Sequence, residues 1–140
     1  GETFVTRKIT RGLARIVIGQ IQKIYLGNLE ARRDWGYAPE YMEAAQLMLQ
    51  QLEPDDYVIG TGENHSVKEF VEAVFKHVGI NNWQDYVEID PRYFRPTEVE
   101  NLIADAGKAK EKLDWQAKTK FDDLVKIMTE FDLKNVQRSF

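Results

Sequence analysis

Two segments of the sequence place arginine beside aromatic residues and beside glycine or proline. The first contains Leu26-Gly27-Asn28 and, five residues later, Arg33-Asp34-Trp35, while the second runs from Asp90 to Glu98 and includes two prolines. Guanidinium groups bind phosphate through paired hydrogen bonds, and ligand contacts concentrate in loops held by a rigid frame. The two segments therefore predict a phosphate-binding site. The same arginines could equally form structural ion pairs with the neighbouring carboxylates, and spacing alone leaves both possibilities open.

Other residue types that could do chemistry form no catalytic pattern. His65 and His77 lie twelve residues apart without the H-E-x-x-H motif, so we expect no metal site. Ser66 lacks the G-x-S-x-G surroundings of a nucleophile, and together with Glu69 it forms the capping-box pattern of a helix start. The Gly60-x-Gly62 pair lacks the third glycine of a dinucleotide-binding turn, which favours a simple strand-to-helix turn.

Composition and charge exclude several classes of partner. The 140 residues include no cysteine, which rules out disulfides and thiolate chemistry and is compatible with a cytoplasmic setting. No apolar run is long enough for a membrane span or a signal peptide. The net charge is −4, but residues 1–33 carry +5 and the remainder −9. A local basic face on an acidic chain suits a small anionic ligand better than nucleic acid.

Part of this positive charge forms a regular row. Arg7, Arg11 and Arg15 recur every four residues, so they share one face of the helix predicted for this region. The spacing favours a solvated helix face over an anion site.

Hydrophobic periodicity predicts helices that alternate with short strands. We expect helices over 5–17, 38–52, 67–78, 105–113 and 119–131, and strands over 23–26, 57–59 and 86–89. Gly19 and Gly79 should end the first and third helices, and Thr119 and Asp122 can cap the last. The predicted apolar stripes run to Leu52 in the second helix and to Phe131 in the last. These elements predict a small α/β body without repeats or linkers.

Several longer runs of the sequence resemble one enzyme family. They are residues 1–11, 25–29 with 33–36, 88–99, and 108–113 with Trp115. In these runs the chain is similar to the GDP-mannose 4,6-dehydratase family of extended short-chain dehydrogenase/reductases. The resemblance covers essentially all 140 residues but matches only the C-terminal, substrate-binding half of the family's chains.

The resemblance implies a small mixed α/β substrate-binding domain over residues 1–140, with the N-terminal Rossmann half absent. In the family, that half holds NADP and supplies a catalytic Tyr-x-x-x-Lys pair. None of the six tyrosines here is followed four positions later by lysine. The expectation is therefore a C-terminal fragment of an NADP-dependent lyase, inactive alone and without catalytic residues, cofactor site or metal.

The family converts GDP-mannose to GDP-4-keto-6-deoxymannose in the pathway to GDP-fucose and other deoxyhexoses. By resemblance, the residues at the GDP end of the substrate site are Lys8, Leu26, Gly27, Asn28, Arg33, Arg95 and Glu98. Lys8 and Arg33 would meet phosphate or ribose, and Arg95 would meet the diphosphate. Glu98 would accept a hydrogen bond from a ribose hydroxyl, and Leu26 with the Gly27-Asn28 turn would form the wall beside the guanine and ribose. Tyr37 departs from the family, which usually has histidine there.

The implied partners are GDP-mannose and the Rossmann domain of the same enzyme, which is expected to pack on an apolar face of the helices at 39–52 and 67–78. The complete enzyme is expected to be a cytoplasmic homo-oligomer that binds neither nucleic acid nor membrane. Two alternatives remain: a free-standing nucleotide-sugar- or anion-binding module without catalysis, and an oligomerisation module that uses the amphipathic helices.

Overall fold

The computed structural model describes residues 4–97 and 101–136, and within them it contains five α-helices and four short strands. The helices are α1 (Val5–Val17), α2 (Ala38–Leu49), α3 (Val67–His77), α4 (Gly107–Leu113) and α5 (Phe121–Asn135). The strands are β1 (Ile24–Leu26), β2 (Arg32–Arg33), β3 (His65–Ser66) and β4 (Val87–Ile89). Short 3-10 turns at Trp83–Asp85 and Pro91–Tyr93 flank β4. The predicted mixed α/β architecture is confirmed.

The main core forms where α1, α3 and α5 pack against one another. Its side chains with no solvent exposure are Ile9, Leu13, Phe70, Val71, Val74 and Phe75. Burying a side chain of this size contributes about 1.5–3 kcal/mol, so α3 is the central element of the fold. The expectation that α3 presents an apolar face to another domain is wrong, because the core within this chain already covers that face.

The ends of α3 and α1 follow the sequence signals. The Ser66 hydroxyl accepts the backbone N–H of Glu69, and the Glu69 carboxylate accepts the N–H of Ser66. This is the predicted capping box, and loss of such an N-cap costs about 1 kcal/mol. Gly79 and Gly19 follow the two helix ends with φ of +80° and +74°, a conformation that favours glycine.

The strands β1 and β4 form a parallel pair. Ile24 lies opposite Val87, and Leu26 lies opposite Ile89. The C-terminal ends of parallel strands lie together, so the turn after β1 meets the segment after β4. The N–H of Asp90 donates to the carbonyl of Leu26 at 2.7 Å, which fixes this meeting point.

A second, antiparallel pair joins β2 to β3. Arg32 lies opposite Ser66, and Arg33 lies opposite His65. Two further backbone hydrogen bonds extend this pairing. The N–H of Val67 donates to the carbonyl of Ala31, and the N–H of Lys68 donates to the carbonyl of Leu29. The sequence predicted neither strand, because two residues are too few for a periodic pattern. The pairing fixes the 29–33 segment to the beginning of α3.

A smaller cluster joins α2 to α4. Its buried members are Ala44, Ala109, Leu113, Trp115 and Ala117. The helix α2 ends at Leu49, three residues earlier than predicted, and Leu49 and Leu52 are 86% and 102% exposed. Their predicted place in a buried stripe is wrong. The predicted strand at 57–59 is also wrong, because it is not a strand in the structure and pairs with no described strand.

The last helix begins differently from the prediction. Lys120 is the N-cap residue of α5, and no side chain caps this helix. The Thr119 hydroxyl and N–H instead donate to the Glu40 carboxylate, each at 2.9 Å, because α2 lies against this segment. Phe131 is 54% exposed, whereas Thr129 and Asp132 beside it on α5 are buried, so the predicted place of Phe131 in the buried stripe is wrong. Among the described helices, none combines the length and apolar character that crossing a membrane requires.

Candidate functional site

The turn after β1 and the segment after β4 lie in direct contact. A Cβ atom placed on Gly27 would come within 2.5 Å of the Tyr93 carbonyl oxygen and 2.8 Å of the carbonyl carbon. Only glycine allows two backbones to approach this closely without a shift. Gly27 therefore brings the second arginine-containing segment against the first.

These two segments enclose a pocket of about 170 Å³ with the beginning of α1. We call it the β1–β4 pocket, and its lining residues are Val5, Lys8, Leu26, Gly27, Asn28, Ala31, Arg33, Val67, Tyr93 and Arg95. The structure thus brings six of the seven residues suggested by the family resemblance around one space. The seventh, Glu98, lies outside the described residues.

The lining is cationic on one part of the wall and apolar on another. Its charged side chains are Lys8, Arg33 and Arg95, and no carboxylate is among the described lining residues. The apolar floor includes Leu26, which is 2% exposed. An anion placed here would meet positive charge from three separate segments, while an adjoining apolar group could contact the floor.

Local contacts orient two of these cations. The Lys8 ammonium lies 3.4 Å from the centre of the Tyr93 ring, in a cation–π contact. The Arg33 guanidinium donates through Nη1 to the carbonyl of Arg32 at 2.7 Å. Both side chains are therefore partly organised before any ligand binds.

The second arginine-rich segment contains one structural ion pair and one pocket-lining arginine. The Arg92 guanidinium donates to both Asp90 oxygens at 2.7–3.1 Å. These hydrogen bonds hold the pKa of Asp90 below its ordinary value and raise the pKa of Arg92. Arg95 instead lines the pocket. The ion-pair interpretation thus holds for Arg92, and phosphate binding by Arg95 stays a prediction.

Asp34 organises the glycine-containing turn at 60–62. Its carboxylate accepts the Thr61 hydroxyl at 2.6 Å and the N–H groups of Thr61, Gly62 and Ala104 at 2.9–3.2 Å. The backbone donors that a dinucleotide phosphate would need are thus already bonded to a carboxylate. This supports the rejection of a dinucleotide-binding turn here.

The histidines have structural contacts. His65 stacks on Phe121 with ring centres 3.8 Å apart and bonds to Glu69 through Nδ1. His77 lies 3.5 Å from Glu130. In the described part of the chain, no group of three or more metal-ligating side chains is arranged to hold a metal ion.

Sequence reasoning did not single out Val5, Ala31, Val67 or Tyr93 as pocket residues. Tyr93 lies within the arginine-rich segment, so its position was a usable signal. Ala31 and Val67 meet only because β2 pairs with β3, which no sequence pattern indicated.

Comparison with known proteins identifies the family. Residues 1–128 match the family model described as GDP-mannose 4,6 dehydratase. GDP-mannose 4,6 dehydratase 1 of Arabidopsis thaliana is 59% identical over 138 residues, which cover 99% of this chain and 38% of that protein. The chain thus spans about two-fifths of the length of this relative.

Solved structures with the same fold also extend beyond this chain. RMD from Pseudomonas aeruginosa, solved with NADPH, matches with a TM-score of 0.84 at 14% identity, over 96% of this chain and 44% of its own. UDP-glucose 4-epimerase from Thermotoga maritima, solved with UDP-glucose, matches with a TM-score of 0.77 at 25% identity, over 97% of this chain and 41% of its own. Since the family model matches 128 of the 140 residues, this chain belongs to the GDP-mannose 4,6-dehydratase family.

Proposed function

We propose that this chain supplies the GDP-binding part of an enzyme that converts GDP-mannose to GDP-4-keto-6-deoxymannose. The observation that carries the proposal is the convergence of Lys8, Arg33 and Arg95 on the β1–β4 pocket, whose described lining residues include no carboxylate. Phosphate-binding sites are built from such cations, and the forked guanidinium matches phosphate geometry.

The remaining lining suits the groups that adjoin a diphosphate. Gly27 and Asn28 present backbone at the turn after β1, and Leu26 supplies an apolar surface for a base or ribose. At about 170 Å³, the pocket is smaller than the roughly 300–1,000 Å³ of complete small-molecule sites. It would therefore hold the diphosphate and part of the nucleoside, with the sugar projecting toward a second part of the enzyme.

Catalysis is proposed to depend on residues that this sequence lacks. No tyrosine here has a lysine four positions later, and the turn at 60–62 does not fit the pyrophosphate of NADP because Asp34 already takes its donors. The relative in Arabidopsis is more than twice as long as this chain. We assign NADP binding and hydride transfer to the part of the enzyme that corresponds to the rest of that relative.

Exposed apolar residues on α2 and just after it support a contact with that second part. Met42, Leu49 and Leu52 are 64–102% exposed, although they are large apolar side chains. Met42 and Leu49 lie two turns apart on one face of α2, and exposed apolar residues that share a face mark interaction surfaces. Of the two helices predicted to face the Rossmann half, only α2 is retained in this proposal. Homo-oligomerisation of the complete enzyme and a cytoplasmic location stay predictions.

The 140-residue protein is expected to show no turnover of GDP-mannose with added NADP, because the hydride-transfer residues are absent from its sequence. The measurement is product formation by anion-exchange chromatography, with the Arabidopsis relative assayed in parallel as the active control. Turnover near the rate of that relative would contradict the assignment of catalysis to another part of the enzyme.

GDP is expected to bind in the β1–β4 pocket, and Arg95→Ala is expected to weaken that binding about 10- to 150-fold. The reason is the loss of a charged contact, worth roughly 1.5–3 kcal/mol. Isothermal titration with GDP gives the affinity, and a thermal-shift comparison of GDP, UDP and buffer reports the preference for guanosine.

Arg92→Ala is the matched control for Arg95→Ala. Its guanidinium is exposed, paired with Asp90 and not among the residues that line the β1–β4 pocket, so GDP affinity should stay close to that of the unsubstituted protein. An unchanged titration for Arg95→Ala would remove Arg95 from the site. A wild-type protein that does not respond to GDP would overturn the proposed function.

A further inference from the structure

A second cationic depression lies beside the β1–β4 pocket, between α1 and β1. We call it the α1 groove, and it encloses about 340 Å³. Its lining residues are Lys8, Arg11, Gly12, Arg15, Ile21, Lys23, Ile24, Tyr25 and Tyr93. Gly12 sets its floor, because a Cβ atom there would lie 2.6 Å from the Ile24 side chain. The close approach of α1 and β1 thus forms the groove.

The charge of the groove has one sign. Four of its lining residues are cations, Lys8, Arg11, Arg15 and Lys23, and none of the described lining residues is acidic. Glu88 pairs with Lys23 and raises its pKa. The neutral amide of Gln20 accepts from Arg15 Nε at 3.0 Å. Clefts lined by charges of one sign focus the field and concentrate counter-ions.

The residues of the α1 groove are not simply a solvated helix face. Lys23 comes from the segment before β1 and Tyr93 from the segment after β4, so separate parts of the chain converge with α1. Arg7, the first member of the arginine row, instead pairs at 3.0 Å with Asp132, which is 5% exposed. Of the three arginines in the row, Arg11 and Arg15 line the groove and Arg7 does not.

The α1 groove and the β1–β4 pocket share a wall. Lys8 and Tyr93 line both spaces, and the Lys8 ammonium lies on the Tyr93 ring. An anion in the groove and an anion in the pocket would thus face the same ammonium group from neighbouring spaces.

We propose that the α1 groove is a second anion-binding site, built for a small multiply charged anion bearing phosphate groups, and that its occupant competes with the nucleotide for Lys8. The first part stands on the charge and convergence of the groove alone, whereas the competition rests on the proposed function of the β1–β4 pocket. Guanidinium and ammonium groups together are the common ligands of phosphate oxygens.

The test is a titration at low ionic strength with inorganic pyrophosphate and, in parallel, with a hexose 1-phosphate. Binding is measured by calorimetry and by the backbone amide NMR shifts of residues 21–25. Arg15→Gln and Lys23→Gln are the groove variants, since neither residue lines the β1–β4 pocket. Lys110→Gln removes the same charge on α4 and serves as control. The probe that binds more tightly identifies whether the phosphate is taken free or on a sugar.

We expect Arg15→Gln and Lys23→Gln each to weaken binding of the tighter probe at least fivefold, and Lys110→Gln to leave its affinity unchanged. Arg33→Gln should weaken GDP binding but leave the amide NMR shifts that the probe causes at residues 21–25 unchanged. Saturating pyrophosphate should raise the apparent Kd for GDP more in the wild type than in Arg15→Gln, because only the groove contribution depends on Arg15. If neither probe binds, or if both groove variants bind as tightly as the wild type, the second site does not exist. If GDP fails to bind while pyrophosphate binding still depends on Arg15, the proposed function fails and the groove site stands.

Discussion

Replacement of Gly27 by alanine is expected to weaken GDP binding about a hundredfold while the protein stays folded. The new methyl group would lie 2.5 Å from the Tyr93 carbonyl oxygen, a backbone atom that cannot rotate away. The segment after β4 must then shift, and Arg95 moves with it. Loss of a charged contact of about 1.5–3 kcal/mol corresponds to the expected change in affinity. Calorimetric titration with GDP measures it.

The core should tolerate this change, because Tyr93 is 51% exposed and its segment lies at the surface. Circular dichroism and thermal unfolding establish that the Gly27→Ala protein is folded. Gly107→Ala is the matched control, since Gly107 begins α4 and lines neither the β1–β4 pocket nor the α1 groove. If Gly27→Ala binds GDP as tightly as Gly107→Ala, the close approach of the two segments does not form the site.

Asp34→Ala is expected to lower the free energy of unfolding by about 3 kcal/mol and the melting temperature by roughly 10 °C. The substitution removes the acceptor for four donors on Thr61, Gly62 and Ala104. These donors belong to two separate loops, and Asp34 lies between β2 and α2. No other described side chain accepts from the same N–H groups. Thermal and urea unfolding measure the loss.

Two further substitutions show whether the carboxylate itself is responsible. Asp34→Asn keeps one oxygen acceptor and should fall between the wild type and Asp34→Ala. Glu111→Ala removes an exposed carboxylate on α4 and should change stability by less than about 0.5 kcal/mol. Equal melting temperatures for Asp34→Ala and Glu111→Ala would show that Asp34 does not hold these loops together.

Residue types alone predicted much of the candidate site. Arginines flanked by glycine, proline and aromatic residues indicated phosphate binding at 26–35 and 90–98, and the family resemblance selected Lys8, Arg33 and Arg95 from among the cations. Charge and guanidinium geometry are properties of the side chain, so they can be read without coordinates. The β1–β4 pocket, which these three cations line, is consistent with that prediction.

Spacing could not tell an arginine that lines the pocket from one that forms an ion pair. Arg92 and Arg95 stand three residues apart in the same loop, yet only Arg92 is bonded to Asp90. The difference depends on the 3-10 turn at Pro91–Tyr93, which directs the first arginine back to the carboxylate. Such a short turn leaves no periodic pattern in the sequence.

By itself, the sequence determined where most helices lie and which side chains of α3 fill the core. Helical periodicity and the Ser66–Glu69 capping box are local, so neighbouring residues suffice to fix them. It also determined the absence of cysteine chemistry and of a Tyr-x-x-x-Lys pair.

Only the tertiary structure decided which segments meet. The pairing of β1 with β4 brings Gly27 to Tyr93 across 66 residues, and the pairing of β2 with β3 fixes Arg33 beside His65. The tertiary structure also leaves Leu49 and Leu52 exposed and places Lys8 between the β1–β4 pocket and the α1 groove. These outcomes depend on contacts between residues far apart in the chain, whose energies come from packing and backbone pairing that no local pattern records.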